Sequence, residues 1–518
     1  MSGIGKRFID AGYKDPKPLI EVDGKPIIYH IIDLFPNESN FHFICNDEHL
    51  LTTNMRKILL DKLPNAKIYQ VSVNKRKGPV DAVLQIQEQI LDNDEIIVSY
   101  CDYGTHWSYS KFLDDMRNNS ADGGIASYIG FHPHMLGSDN YAFMKHDNMW
   151  VTDIQEKQPF TENRMNEYAS NGTYYFRNGK ILKHYFQMLV DKQMDLKGEF
   201  YVSLVYKLMC NDNLRVRIFE IDKMLQWGTP KDLEEYKMWS DYFRKKKEKP
   251  LLFTDKNKNI TTILPMAGAG SRFQMVGYKL PKPLLPVHNS PMFIEAVNCL
   301  PPSENIVFVC QKSHLDLYPI DELVKKTWNG KVIPIDYITE GQACSCEIAI
   351  KQANISLENP ILISACDNGV YYDLNKYNEL VNDNSVDVIV WAFTNHPTGK
   401  LYPHMYAWLD VDSSGNIHEV SIKKPFLNKP NTHAIIGTMY FRSGNLFMDG
   451  LKEIYEKNIR TNGEFYVDNV LQPLIDKGYN VKVFEVDYYL CWGTPNDYKT
   501  YMYWDEYFQN LNHVKINL

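Results

Sequence analysis

Two halves of this 518-residue chain repeat one another at a spacing of 265 residues. Gly3-Ile-Gly5-Lys-Arg7-Phe8 returns as Gly268-Ala-Gly270-Ser-Arg272-Phe273, and Pro16-Lys17-Pro18-Leu19 as Pro281-Lys282-Pro283-Leu284. Cys101-Asp102 matches Cys366-Asp367, Gly198-Glu199-Phe200-Tyr201-Val202 matches the run from Gly463 to Val467, and Trp227-Gly228-Thr229-Pro230 matches the run from Trp492 to Pro495. Solenoid repeats are 20–50 residues long, so a period of this size means a duplicated domain. Two copies of roughly 250 residues each approach the upper size for one hydrophobic core. Positions kept in both copies serve as a two-sequence comparison inside the chain.

Composition narrows what such domains do. Apolar residues at 44% and charged residues at 23% describe a globular chain. A net charge of −8 argues against nucleic acid as partner, because binding a phosphate backbone takes a basic surface. Nine cysteines, odd in number and without paired metal-ligand spacing, read as free thiols in a reducing, cytoplasmic compartment. No apolar run reaches the ~18 residues of a membrane span, and no signal-peptide pattern opens the chain.

The second copy alternates strand-like runs (260–265, 305–310, 332–339, 360–365) with helix-like stretches (292–300, 314–327, 346–352), the pattern of an α/β domain with a mainly parallel sheet. Its later part is richer in strands, with Asp412-Ser-Ser-Gly415-Asn416 as a hairpin loop. The charge run from Arg244 to Lys249 reads as a solvated helix end and linker reaching about Asn259. In the second copy the glycine loop follows the apolar run Ile260–Met266, whereas Met1 stands where Met266 would. The first copy therefore lacks its first strand in this numbering. Because a missing central strand orphans the backbone groups of its neighbours, the expectation is that translation begins further upstream.

Glycines between a strand and a helix let backbone N–H groups approach an anion, although alone they also make ordinary tight turns. Here Gly3/Gly5 and Gly268/Gly270 are followed by a fixed Arg and, ten residues on, a Lys held between prolines. Arg7 with Lys17, and Arg272 with Lys282, thus put a guanidinium fork and a point charge beside each loop. Asp102 and Asp367 end apolar strand-like runs, where a carboxylate is costly unless a cation or hydrogen bonds compensate it. That edge of an open α/β sheet is also where ligands bind. Capping of a following helix is the alternative for these two aspartates.

These motifs, together with Pro-Lys-Pro-Leu-Leu-Pro-Val, Glu156-Lys157-Gln-Pro159 and Asn171-Gly172-Thr-Tyr-Tyr, resemble the sugar-phosphate nucleotidylyltransferases, also called nucleoside-diphosphate-sugar pyrophosphorylases, in tandem. The resemblance implies α/β architecture: two tandem Rossmann-like nucleotidyltransferase domains at 1–245 and 259–518, each a mixed, mainly parallel sheet flanked by helices. It implies that Arg7, Lys17, Arg272 and Lys282 grip phosphate and that Gly3, Gly5, Gly268 and Gly270 wrap it. Gly78 and Gly341 would leave room for the base; a plain helix start is the alternative for both. Asp102 and Asp367 would hold Mg²⁺. Lys157, Gly172 and Glu199, with Lys423, Gly437 and Glu464, would line the sugar-phosphate pocket; a helix-start Glu or a strand-start Gly are the alternatives. Two departures stand out: Gln226 and Cys491 occupy the place of the family's second metal-binding Asp, and Ile422 replaces Glu156. The histidines of His132-Pro-His134 and of His396 to His404 lack metal spacing and read as loop packing.

The implied reaction joins a nucleoside triphosphate to a sugar-1-phosphate or related phosphate, releasing pyrophosphate, for glycan or surface-polysaccharide precursors. The nucleophile is already an anion, which agrees with the absence of a repeated Ser/His/Asp set. Two other readings remain open: one catalytic domain with a degenerate regulatory copy, and a non-catalytic nucleotide-sugar-binding protein. A glycosyltransferase is disfavoured because the matched text is Cys-Asp-Tyr-Gly and Cys-Asp-Asn-Gly rather than Asp-x-Asp.

Overall fold

The computed structural model describes residues 1–518 apart from 73–76, 252, 254–256, 329, 395 and 515–518. The chain divides into two compact units, Met1–Asp241 and Tyr242–Leu518. The helix Pro230–Glu248 carries the charge run that opens the expected linker, whose later part falls on 252 and 254–256, outside the described residues.

In the second unit the strand Asn257–Pro265 is central. It pairs in parallel with Ser303–Gln311 on one side and Ile361–Ile363 on the other. Lys331–Ile335 extends the first flank in parallel; Thr432–Phe441 joins the other flank antiparallel and leads to Val388–Phe393 and Val481–Glu485. Side chains of a strand alternate between faces. Accordingly Ile263 packs into the apolar layer under the helices Gln342–Gln352 and Gly444–Glu456, while Ile260 and Leu264 enter the opposite layer with Phe293, Phe308 and Trp391. The expected helix over 314–327 is two helices, Lys312–Leu317 and Ile320–Trp328, because Pro319 cannot donate its missing N–H and restricts Tyr318.

The first unit repeats this plan with one interruption. Strands His42–Asn46 and Lys67–Val71 pair in parallel as a sheet of two. Ile96–Ser99 lies at the edge of a separate six-stranded sheet in which most pairings are antiparallel. Among the described residues no strand joins the two pieces, which is why the parallel half stands apart here and is continuous in the second unit. The effect on burial is direct: Ile361, Leu362 and Ile363 are buried, whereas every residue of Ile96–Ser99 is only half-buried. The space between opens into a cavity of about 1100 Å³, lined in part by Ile28, Ile31, Phe43 and Val98.

Two short ribbons were not anticipated. Tyr103–His106 pairs antiparallel with Lys223–Gln226, and Asn368–Tyr371 with Tyr488–Cys491. They set Asp102 and Asp367 beside the Trp-Gly-Thr-Pro segments, through Trp227 N–H donating to the Asp102 carbonyl and Trp492 N–H to that of Asp367. A strand, not a helix, follows each aspartate, so neither caps a helix.

Candidate active site

Each glycine loop ends in a left-handed residue, Gly5 at φ 73° and Gly270 at φ 62°, which turns the chain into a one-turn helix carrying Arg7 or Arg272. Such a φ suits a residue without Cβ. Both arginines are exposed, and Phe8 and Phe273 on the same turns are buried anchors. Downstream, Lys17–Leu19 and Lys282–Leu284 are single 3-10 turns introduced by Pro16 and Pro281. Prolines on both sides of the lysine fix the backbone dihedrals there, so each ammonium is delivered to a set place. Lys17 donates to Asp102 Oδ2 over 2.9 Å, and Lys282 to Asp367 Oδ2 over 2.6 Å.

The second-unit contact is electrostatically tight. Burial alone would raise Asp367, but the Lys282 ammonium, its hydrogen bond and the more distant Arg272 hold it below the usual carboxylate range. Burial pulls Lys282 down and Asp367 more than offsets this, raising it. Lys17 is raised in the same way by Asp102 against burial, with Arg7 opposing. Arg7 and Lys17, and likewise Arg272 and Lys282, therefore act on one region in each unit.

In the first unit the cavity brings together Gly3, Gly5, Arg7, Lys17, Asp102, Lys157, Gly172 and Glu199, with Tyr141, Glu156, Tyr201, Gln226 and Gly228. Lys157 has a left-handed backbone, φ 56°, and its Nζ donates to Tyr201 Oη over 2.5 Å. The Tyr201 hydroxyl in turn donates to Glu199, and Ser203 donates to Glu156, both at 2.5 Å. Tyr141, Tyr201 and Ser203 were not singled out from the sequence, although Tyr141 recurs as Tyr406 and Tyr201 as Tyr466 at the constant spacing.

Lys423 also has a left-handed backbone, φ 60°, which identifies it as the counterpart of Lys157. Its ammonium donates to the Met405 carbonyl instead of a tyrosine. Burial lowers its pKa, with Asp468 opposing and Arg272 adding to the fall. Glu464 is exposed, unlike Glu199.

Gly78 does not itself line the cavity; its neighbour Pro79 does. A Cβ on Gly78 would lie 2.6 Å from the Phe200 backbone nitrogen, and one on Gly341 2.3 Å from the Phe465 carbonyl oxygen. The room these glycines leave is taken by backbone, and close chain packing is itself a reason for glycine there. Gly172 and Gly437 lie inside strands Tyr168–Phe176 and Thr432–Phe441, at register shifts, rather than ahead of them.

At the place of the second metal carboxylate, Gln226 donates to Tyr141 Oη and accepts from Gly228 N–H. Cys491 is a buried thiol whose pKa burial pushes up. Asp222 sits at the far end of its ribbon beside His106. Among the described residues no three His, Cys, Asp or Glu side chains cluster as a metal site. One carboxylate per unit fits Mg²⁺, which commonly takes one or two carboxylates and fills its other positions with water and phosphate. His132 and His134 pack on Tyr128, with His134 Nε2 3.0 Å from its hydroxyl, as loop-packing groups.

In each unit an α/β scaffold holds a lysine–aspartate contact past a strand end, with an arginine behind a glycine loop, at the edge where open α/β sheets bind ligands. Residues 1–241 match the model of the nucleotidyl transferase family. A nucleoside-diphosphate-sugar pyrophosphorylase from Vibrio cholerae RC9 is 17% identical, with TM-score 0.38, over 46% of this chain and 98% of its own. An inositol-1-phosphate CTP transferase from T. maritima is also 17% identical, with TM-score 0.37, over 48% of this chain and 97% of its own. A search of curated proteins found no match. Among the described residues no helix is long and apolar enough to cross a membrane.

Proposed function

We propose that the chain is a nucleotidyltransferase with an active site in each unit. It couples a nucleoside triphosphate to a sugar-1-phosphate or related phosphate monoester, releases pyrophosphate, and supplies precursors for glycans or surface polysaccharide. The single observation that carries this reading is the recurrence of one contact, Lys17 with Asp102 and Lys282 with Asp367. The family match of residues 1–241 supports it for the first unit.

The chemical problem is repulsion between two polyanions. Arg7 and Lys17, or Arg272 and Lys282, lower it and hold attacking and leaving oxygens in line. A phosphate oxygen of the acceptor attacks the α-phosphorus, and the bond to the β-phosphate oxygen breaks with its electron pair leaving on pyrophosphate. Lys157 or Lys423 positions the acceptor phosphate, and Glu199 in the first unit accepts from its hydroxyls. Asp102 and Asp367 would hold Mg²⁺, whose contribution when bound is to neutralise triphosphate charge. Nine unpaired thiols support a cytoplasmic location within this proposal.

The test is a matrix of nucleoside triphosphates against phosphate monoesters, scored by pyrophosphate release, with Asp102→Asn and Asp367→Asn proteins alongside. Binding of nucleotide with no pyrophosphate from any pair would leave a binding protein and overturn the enzyme reading.

A further inference from the structure

The two acceptor pockets carry the same charges on exchanged elements. In the first unit the carboxylate beside the lysine is Glu156, at the end of strand Trp150–Glu156, and Ser203 at the start of helix Val202–Asn211 donates to it over 2.5 Å. In the second unit the strand Ile417–Ile422 ends in an apolar residue at the Glu156 position, immediately before Lys423. The position of Ser203 is taken by Asp468, in the 3-10 turn Val467–Val470.

Asp468 is partly buried, and among the described residues its carboxylate makes no hydrogen bond and no ion pair within 4.0 Å. The Lys423 ammonium lies 5.8 Å from the ring of Tyr466, two residues before Asp468, and Val420 N–H donates to Gln472 just beyond it, so the strand end and the turn carrying Asp468 are packed together. Each charge shifts the other. A lysine and a carboxylate that are neighbours without forming an ion pair can both be satisfied by one ligand carrying an anion and a donor. A half-buried carboxylate that has no protein partner is available to such a donor. Glu156, by contrast, is already held by Ser203.

We infer that Asp468 is a substrate-binding residue of the second unit, accepting a hydrogen bond from a hydroxyl or ammonium donor on a phosphate monoester whose phosphate meets Lys423. This rests on the transferase reading above. The second unit sets Ile422 where the first has Glu156, and Asp468 where the first has Ser203. The two units therefore suit different acceptors.

The test uses full-length Asp102→Asn protein, so that only the second unit turns over, with pyrophosphate release as readout. The acceptors are a sugar-1-phosphate, glycerol phosphate, aminoethyl phosphate and, as a donor-free control, n-propyl phosphate. Adding Asp468→Asn is expected to raise KM for the preferred donor-bearing ester about ten- to a hundredfold, the range for a hydrogen bond to a charged group. KM for the triphosphate and for n-propyl phosphate stays unchanged. The hydroxyl and amino arms show which donor Asp468 receives. A second variant, Ile422→Glu with Asp468→Ser, rebuilds the first unit's arrangement and is expected to shift acceptor preference toward that of the Asp367→Asn protein, in which only the first unit turns over. If Asp468→Asn leaves every acceptor KM unchanged while turnover persists, Asp468 is not a binding residue and the transferase reading survives. If the Asp102→Asn protein turns over none of the acceptors, second-unit catalysis falls and this inference with it.

Discussion

Lys282 and Asp367 are in contact at 2.6 Å, the cation aimed at the carboxylate. Prolines 281 and 283 hold the lysine backbone, and the ribbon beginning at Asn368 holds the aspartate.

Breaking that contact is expected to cost rate rather than fold. Lys282→Ala or Asp367→Asn, each placed in an Asp102→Asn background, should lower pyrophosphate release by about 10²–10³, the usual loss for one transition-state donor. Circular dichroism should show an intact fold. Near-normal release from either protein would remove these residues from the chemistry.

Separate silencing of the units gives a second expectation. Asp102→Asn and Asp367→Asn alone should each abolish only one unit's share of turnover, with distinct acceptor profiles remaining. If either single change removes all activity, one unit is catalytic and the other is a degenerate copy.

Gly341→Ala should act on stability. The added methyl would lie 2.3 Å from the Phe465 carbonyl oxygen, at a φ of 140° that other residues avoid. A cost of roughly 1–3 kcal/mol is expected from the strained backbone alone, read as a lower midpoint in urea for the second unit. An unchanged midpoint with weakened nucleotide binding would instead assign the glycine to the base.

The first unit should weaken in mild acid. Burial lowers His132 to about 4, below the ~6.5 of an unfolded chain. Between those values the unfolded state binds the extra proton, so stability is full above pH 6.5 and falls as pH drops toward 4. His134 is displaced in the same direction. His132→Gln should flatten the fall in melting temperature over this window; an unaltered slope would exclude His132 as its source.

The gap between strands His42–Asn46 and Ile96–Ser99 supports a last expectation. Adding Ile-Thr-Thr-Ile-Leu-Pro ahead of Met1, copied from 260–265, should slow amide exchange along both strands and raise the first unit's melting temperature. Unchanged exchange would show that the gap does not accept a parallel strand.

The site was legible where duplication preserved spacing. Arg7, Lys17, Asp102 and their counterparts sit at a fixed 265-residue interval; the structure brings the first three to one cavity and sets Lys282 against Asp367. The exchange between Glu156/Ser203 and Ile422/Asp468 was not legible. The interval slips by one residue between Lys157 and Lys423, and Asp468 gains meaning only when a strand end and a helix start meet. The ribbons at 103–106 and 368–371 escaped notice because four residues rich in Gly, Asn and Tyr show no alternating pattern. Pro319, by contrast, was visible in the sequence and should have divided the helix.

The glycine turns also link the two walls of each site. Phe200 exchanges backbone hydrogen bonds with Lys77 and Val80, and Phe465 does so with Glu340 and Ala343. Glu199 and Glu464 directly precede those phenylalanines. Any displacement of either turn is therefore expected to carry the glutamate segment with it, a coupling that runs through the main chain alone.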